Sequence, residues 1–189
     1  MPENKVIFGV RNAHYAVATE GEDGTLTYAA PVALPGATEI ALDAKGGQSD
    51  FYADDVLYYT TSSNQGYDAT LTIANITQDF RLDVLGETLI GTDNVLVENS
   101  LVTPKKIAFL FEFDGDVKAT KHCLYNVTVS RPGMDSVTKT ETAEPKTQEL
   151  KLTAAPRTID GIVKRSTTAT TPDAVYNAWY TAVYDPAPV

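Results

Sequence analysis

Cysteine occurs once in the 189 residues, tryptophan once, and histidine and methionine twice each. The single cysteine, Cys123, excludes an intramolecular disulfide, and a chain of this length needs no covalent staple. Two histidines, His14 and His122, leave little from which to build a nucleophile–base pair, which requires a base beside a Ser, Cys or Thr. His122 adjoins Cys123, but neighbours on a strand point to opposite faces, which removes them as a catalytic couple and as a metal pair. No CxxC, HExxH, GxSxG, GxxxxGK(S/T) or GxGxxG pattern is present. The acid groups Asp54-Asp55 and Glu20/Glu22/Asp23 offer oxygen ligands for calcium, yet Asp-rich turns are usually only turns. No catalytic, cofactor-binding or metal-ligating residue is therefore assigned, no cofactor is expected, and an enzyme is the disfavoured class.

Long apolar runs are absent too. None approaches a membrane span, and the opening MPENKVIFGV lacks the basic segment and apolar core of a secretory signal. The expectation is a soluble protein kept in a cytosol. Basic residues are scarce in the first half. Residues 1–100 hold 15 acids and 4 bases, whereas residues 101–189 hold 10 acids and 11 bases, giving −10 overall. Tight static binding of nucleic acid is disfavoured, because it requires Lys and Arg to replace phosphate counterions. The asymmetry fits either a solvated acidic surface or complementary surfaces that meet between copies.

The most informative stretch is Pro104 to Pro132. Ile107, Phe109, Phe111 and Phe113 alternate with Lys106, Ala108, Leu110 and Glu112. After Asp114-Gly115-Asp116, Cys123, Tyr125, Val127 and Val129 alternate with His122, Leu124, Asn126, Thr128 and Ser130. Period-two alternation rich in aromatic and β-branched residues predicts strands, and the Gly-containing break predicts a reversal. The expected element is a long antiparallel hairpin with its Phe-rich face on the core.

Elsewhere, short strands are predicted at Val6 to Val10, His14 to Thr19, Leu26 to Tyr28, Val32 to Leu34 and Glu39 to Asp43. Pro31 marks an edge or bulge. Residues 44–50 read as a flexible loop. They lead into Phe51-Tyr52-Ala53-Asp54-Asp55-Val56-Leu57-Tyr58-Tyr59, either a hairpin turning at the two acids with Tyr52 and Tyr58 packed, or a saccharide-stacking platform. Gly66 to Asn75 predicts a strand with Tyr67, Ala69, Leu71 and Ile73 on one face. Residues 77–85 change period and predict a short helix capped by Thr77 and ended by Gly86. Residues 87–103 are ambiguous, with a strand possible at Asn94 to Glu98. Residues 133–147 form a polar loop region. Thr147 to Thr153 alternates again, with Leu150 and Leu152 inward. Val175, Ala178, Trp179, Ala182 and Val183 recur at helical spacing and predict an amphipathic helix over 173–184. The whole, 1–189, reads as one mainly β domain, an antiparallel sandwich or half-barrel with two short helices.

Taken in order, FGVRNAHYAV, FYADDVLYY, GYDATLTIANITQDFRLDVLG, IAFLFEFDGD with YNVTVSRPG, and the closing AWYTAVYDP resemble phage major tail proteins. These are the tail tube proteins of long, non-contractile-tailed phages of Gram-positive bacteria. The resemblance implies a subunit that forms hexameric rings, which stack around a tape-measure protein into a tube closed by terminator and tip proteins. It also implies assembly in the host cytoplasm, residence in the virion tail, transient passage of DNA, and no membrane partner. One expectation follows for the loops: residues 44–50 or 133–147 make ring-to-ring contacts and are ordered only in the tube. The face bearing Leu110, Leu124, Asn126 and Thr128 is expected to be a surface that assembly covers. The competing class is a carbohydrate-binding or adhesin sandwich that stacks sugars on Tyr52, Tyr58, Tyr59 and Trp179. A buried Trp179 counts against it.

Overall fold

The computed structural model describes residues 3–136, 138 and 146–186. Thirteen strands and two helices follow one another among them: β1 (Ile7–Glu20), β2 (Leu26–Tyr28), β3 (Val32–Ala33), β4 (Ala37–Lys45), β5 (Gln48–Ala53), β6 (Val56–Ser62), β7 (Gly66–Ile73), α1 (Gln78–Asp83), β8 (Thr88–Ile90), β9 (Val95–Val97), β10 (Ile107–Gly115), β11 (Thr120–Val129), β12 (Gln148–Ala155), β13 (Lys164–Ser166) and α2 (Asp173–Ala178). The principal sheet runs in the order β2-β1-β10-β11-β12-β7-β4, with β13 added to β11 and β3 to β1. All its ladders are antiparallel. The sheet curls until β1 approaches β4. The interior of the curl holds Tyr15, Leu71, Phe109, Phe111, Leu124 and Leu150, each almost fully buried. This is the half-barrel that alternating strands without intervening helices predict.

The hairpin 104–132 is real, and its Phe-rich face is core as expected. Its second strand departs from simple alternation. Ile107 pairs with Val127 but Phe109 pairs with Leu124, so β11 carries one extra residue between Leu124 and Val127. A bulge of this kind shifts the side-chain parity. Leu124, Val127 and Val129 consequently face the interior, whereas Cys123 and Tyr125 join Ala16, Ala108 and Leu110 on the outside.

That outside face is the second correction. Leu110 and Leu124 are wholly buried within the single chain, so assembly is not needed to cover them. Leu124 points into the barrel, and Leu110 lies with Trp179 beneath the C-terminal segment. The strap follows from Thr167 through α2 to Pro186. Its helix is shorter than the predicted 173–184, ending at Ala178. The chain leaves the helix so that Trp179, 2% exposed, drops onto the outer face. Val175 and Val183 pack there as the spacing suggested, but Ala178 and Ala182 are exposed. Beyond the helix, the Tyr125 hydroxyl donates to the Tyr184 carbonyl, and Arg157 and Arg165 both donate to Asp185, at 2.7 and 3.0 Å. At the other end the Lys121 ammonium donates to the Tyr176 carbonyl at 2.8 Å and sits over the Tyr176 ring.

α1 forms where expected. The Thr77 hydroxyl accepts from the Phe80 amide at 3.3 Å, and Gly86 takes the positive φ of a helix terminator. The helix buries Phe80, which meets Tyr15 edge-on. Thr77→Ala should cost about 1 kcal/mol in urea unfolding, the usual value of an N-cap hydroxyl. The opening segment differs from two separate strands: β1 is one long strand that absorbs Arg11-Asn12 as an irregularity, with Asn12 at φ 52°. The ambiguous stretch 87–103 contains the small β8–β9 hairpin.

Candidate self-assembly surfaces

Sequence reasoning assigned no chemical site. His122 and Cys123 lie on opposite faces: the His122 ring stacks on Phe111 toward the interior, and Cys123 is buried on the strap side. His14 is on the strap side, stacked on Tyr180. Among the described residues no three His, Cys, Asp or Glu side chains gather as a metal site would require. Asp23 accepts the Thr25 amide, Glu20 pairs with Lys106, and Asp54-Asp55 shape a turn. Among the described residues no helix is long and apolar enough to cross a membrane.

His122 does carry a physical consequence. Burial, helped by the nearby Lys164 charge, holds its imidazole down to about 4, and its Nδ1 has no hydrogen-bond partner among the described residues. The unfolded chain accepts a proton near pH 6.5 that the fold refuses until about pH 4. Stability is therefore lost as pH falls through that window, by about 1–2 kcal/mol once the solvent still reaching the ring is discounted. Urea titrations at pH 7 and pH 4.5 should show a smaller acid loss for His122→Phe than for the unsubstituted protein.

The surface that stands out is the β5–β6 hairpin. The glycines at 46 and 47 make only a tight connection. The remainder of the 44–50 loop belongs to strands, with Lys45 ending β4 and Gln48 starting β5. Gly46 is required by close approach, since a Cβ there would stand 2.0 Å from the Ser63 carbonyl oxygen. The hairpin reverses at Asp54-Asp55, both at positive φ (52° and 61°), as a two-residue turn between right-twisted strands demands. It is a separate two-stranded sheet, unpaired with the principal one.

Tyr52 and Tyr58 do not pack on the barrel. Phe51, Tyr52, Val56, Leu57, Tyr58 and Tyr59 are all between 52% and 72% exposed. Phe51 and Tyr58 meet edge-on, and the other hairpin side chains find no core. A lone two-stranded hairpin is marginal in water, and six large apolar side chains on one projection exceed what an isolated surface normally shows. As a sugar platform it is poorly arranged. Phe51 faces Tyr59 across the ladder while Tyr52 faces Leu57, and Trp179 is buried under the strap.

A second apolar exposure lies at the start of β1, where Val6, Ile7 and Phe8 are more than half exposed. Ile7 and Phe8 border a groove of about 290 Å³ between β1 and β4, lined also by Val10, Ile40 and Phe113. β4 is the last strand of the sheet, and its unpaired edge runs past the start of β1. The polar loop 133–147 falls largely outside the described residues, at 137 and 139–145.

The described residues form a curled antiparallel barrel with a projecting hairpin and an unpaired edge strand. No known protein-family model matches the sequence, and no curated protein does. Among solved structures, a chain of the cryo-EM structure of the anti-feeding prophage cap (AFP tube terminating cap) matches with a TM-score of 0.50 at 11% identity, over 82% of this chain and 88% of that one. A chain of an extracellular contractile injection system, the PVC sheath-tube complex in its extended state, matches with a TM-score of 0.49 at 10% identity, over 84% and 89%. A chain of the anti-feeding prophage (AFP) baseplate, 6-fold symmetrised, gives 0.47 at 9% identity, over 90% and 99%. What is shared at such identities is the fold, and the first comparison carries it. The protein is mainly antiparallel β with two short helices, and it shares its overall fold with that first chain. The first of these is named as an anti-feeding prophage cap, and the narrower likeness to non-contractile tails of phages of Gram-positive bacteria gains no support from it.

Proposed function

We propose that this chain, over its whole length, is a structural subunit of a phage-like tail or injection tube. Its copies associate through head-to-tail contacts into rings, and the rings stack into a conduit. The observation that carries the reading is the β5–β6 hairpin, whose exposed aromatic and aliphatic side chains need a second surface to cover them. A heterologous contact of this kind closes into rings or continues as a filament. The shared fold with a tube-terminating cap chain supports the same class. Six copies per ring, a tape-measure protein threading the tube, terminator and tip proteins at its ends, passage of DNA, assembly in the host cytoplasm and residence in a virion tail belong to this proposal. So does the absence of catalysis.

Ring-to-ring contact is assigned to the hairpin, which replaces the 44–50 loop in that role. The test is negative-stain electron microscopy of the purified protein over a concentration series. Rings or tubes of uniform width with a central channel are expected. Monomers at every concentration that instead bind glycans would overturn the reading in favour of the adhesin class.

A further inference from the structure

Building on the tube reading above, we propose that the groove between β1 and β4 receives the Leu101 turn of a second copy. Subunits then join head to tail at a contact separate from the β5–β6 hairpin. Leu101 is 89% exposed, more than any other large hydrophobic among the described residues. A leucine in water is ordinary on a loose loop, but this one is held out on a fixed turn. The Asn99 side chain accepts the Leu101 amide at 2.9 Å, and the Asn99 carbonyl accepts the Val102 amide at 3.2 Å. The Arg131 guanidinium clamps the turn, donating to the Leu85, Asn99 and Val102 carbonyls at 3.3, 3.3 and 3.2 Å. An apolar side chain on a support already ordered loses little conformational freedom on docking.

The groove is ordered in the same way. Asn4, just ahead of β1, donates to the Lys118 carbonyl at 2.6 Å and accepts the Val117 and Lys118 amides at 3.1 and 3.0 Å. The Lys5 amide donates to Asp116 at 2.9 Å. A Cβ at Gly115 would collide with the Asn4 carboxamide, so the end of β10 is shaped to take it. Pinned there, Ile7 and Phe8 stay in water, and with Val10, Ile40 and Phe113 they leave an apolar cleft with room for a branched aliphatic side chain. Turn and groove lie at opposite ends of the sheet. Ile7 faces Gly115 at the end of β10, whereas Arg131 follows β11, whose Val127 faces Ile107 at the start of β10. Nine residues of β10 separate those ends, about 30 Å of strand, so the turn of one chain does not fill its own groove. Filled by the next copy, the same two surfaces repeat along a row. Charge agrees with this occupant. Glu39 is exposed at the groove and Lys105 is exposed four residues beyond Leu101, and neither has an ion-pair partner among the described residues. Opposite charges flanking an apolar contact steer the encounter and fix its register.

Ser100→Cys and Thr38→Cys test the contact without removing its apolar groups, since both positions are exposed, one beside Leu101 and the other lining the groove. The natural Cys123 is buried and stays silent. Oxidation of tubes of the double variant by copper–phenanthroline should give a ladder of covalent oligomers on a non-reducing gel. Tubes of either single variant should give monomer alone. A product that stops at the dimer, a dimer from a single variant, or no covalent product from intact tubes would overturn the contact and leave the tube reading standing. Failure of the unsubstituted protein to form tubes would remove both. Leu101→Asp should raise the concentration needed for assembly about tenfold. Its circular dichroism should not change, because Leu101 belongs to neither core cluster. Glu39→Lys and Lys105→Glu should each weaken assembly at low salt, and the two together should restore it. Normal assembly by Leu101→Asp, or no restoration by the charge exchange, would overturn the proposed docking.

Discussion

Excising residues 46–65 and joining Lys45 to Gly66 through a two-residue Asn-Gly turn should give a folded subunit that forms no tubes. Lys45 and Gly66 are directly opposed in the β4–β7 ladder, so a two-residue connection closes the shortened hairpin without moving either strand. Apart from the Gln65 amide on the Lys45 carbonyl and the Asn64 side chain on the Gly66 amide, the excised segment pairs with itself and adds nothing to the core clusters, so thermal or urea stability should change by no more than about 1 kcal/mol. Assembly loses the exposed apolar surface that the hairpin carries. A graded form of the experiment is Tyr58→Asp, or Phe51→Asp on the same projection. An aromatic anchor at the centre of an interface is worth about 2 kcal/mol, so each change should raise the concentration needed for assembly about thirtyfold. Sedimentation and microscopy read the tubes, and circular dichroism reads the fold. Tubes of normal length from the excised protein would place the contacts elsewhere.

The sequence revealed some of these features and concealed others for identifiable physical reasons. The Asp54-Asp55 reversal was legible because two short polar residues that tolerate positive φ interrupt a run of strand formers. The hairpin's extent was not, because an exposed strand such as Gln48-Ser49-Asp50 has no apolar face to betray it and reads as loop. Thr77 and Gly86 marked α1 at both ends, since capping is local chemistry. α2 was overestimated because Ala178 and Ala182 keep helical spacing, while the actual path is set by Trp179 and by the Asp185 carboxylate reaching Arg157 and Arg165. The bulge in β11 has no local signature at Tyr125-Asn126, yet it decides which face each following residue takes. The apolar Ala108 and Leu110 pointed correctly to a covered surface. The cover was misassigned because the segment that supplies it lies some sixty residues downstream, and alternation along one strand carries no record of a distant partner.

Trp179→Ala should be the most destabilising single substitution in the strap, at about 3–5 kcal/mol, the range for truncating a buried large aromatic. The indole is 2% exposed and packs with Ala16, Ala108, Leu110, Cys123 and Tyr125. It also stacks on Tyr184 and donates from Nε1 to the His122 carbonyl at 3.5 Å. The strap has little else apolar to hold it, since α2 has six residues, no buried residue and no side-chain cap. Half-buried Val175, Tyr180 and Val183 add apolar contact, and the polar anchors are Lys121 on the Tyr176 carbonyl, Tyr180 on Glu112, and Asp185 on the two arginines. Loss of the indole should therefore loosen the strap before the barrel melts, because the barrel's own core lies on the other side of the sheet. Cys123 reports that event. In the intact protein its thiol is fully buried, and burial pushes it up to about 12, so a disulfide reagent should not react under native conditions. In Trp179→Ala the same thiol should react at least tenfold faster, at urea concentrations below the main unfolding transition. Trp179→Phe, which keeps most of the packing, should restore the slow rate and recover more than half of the lost stability. Equal reactivity in all three proteins would mean that the strap is held by its ionic ends and that the indole only fills space.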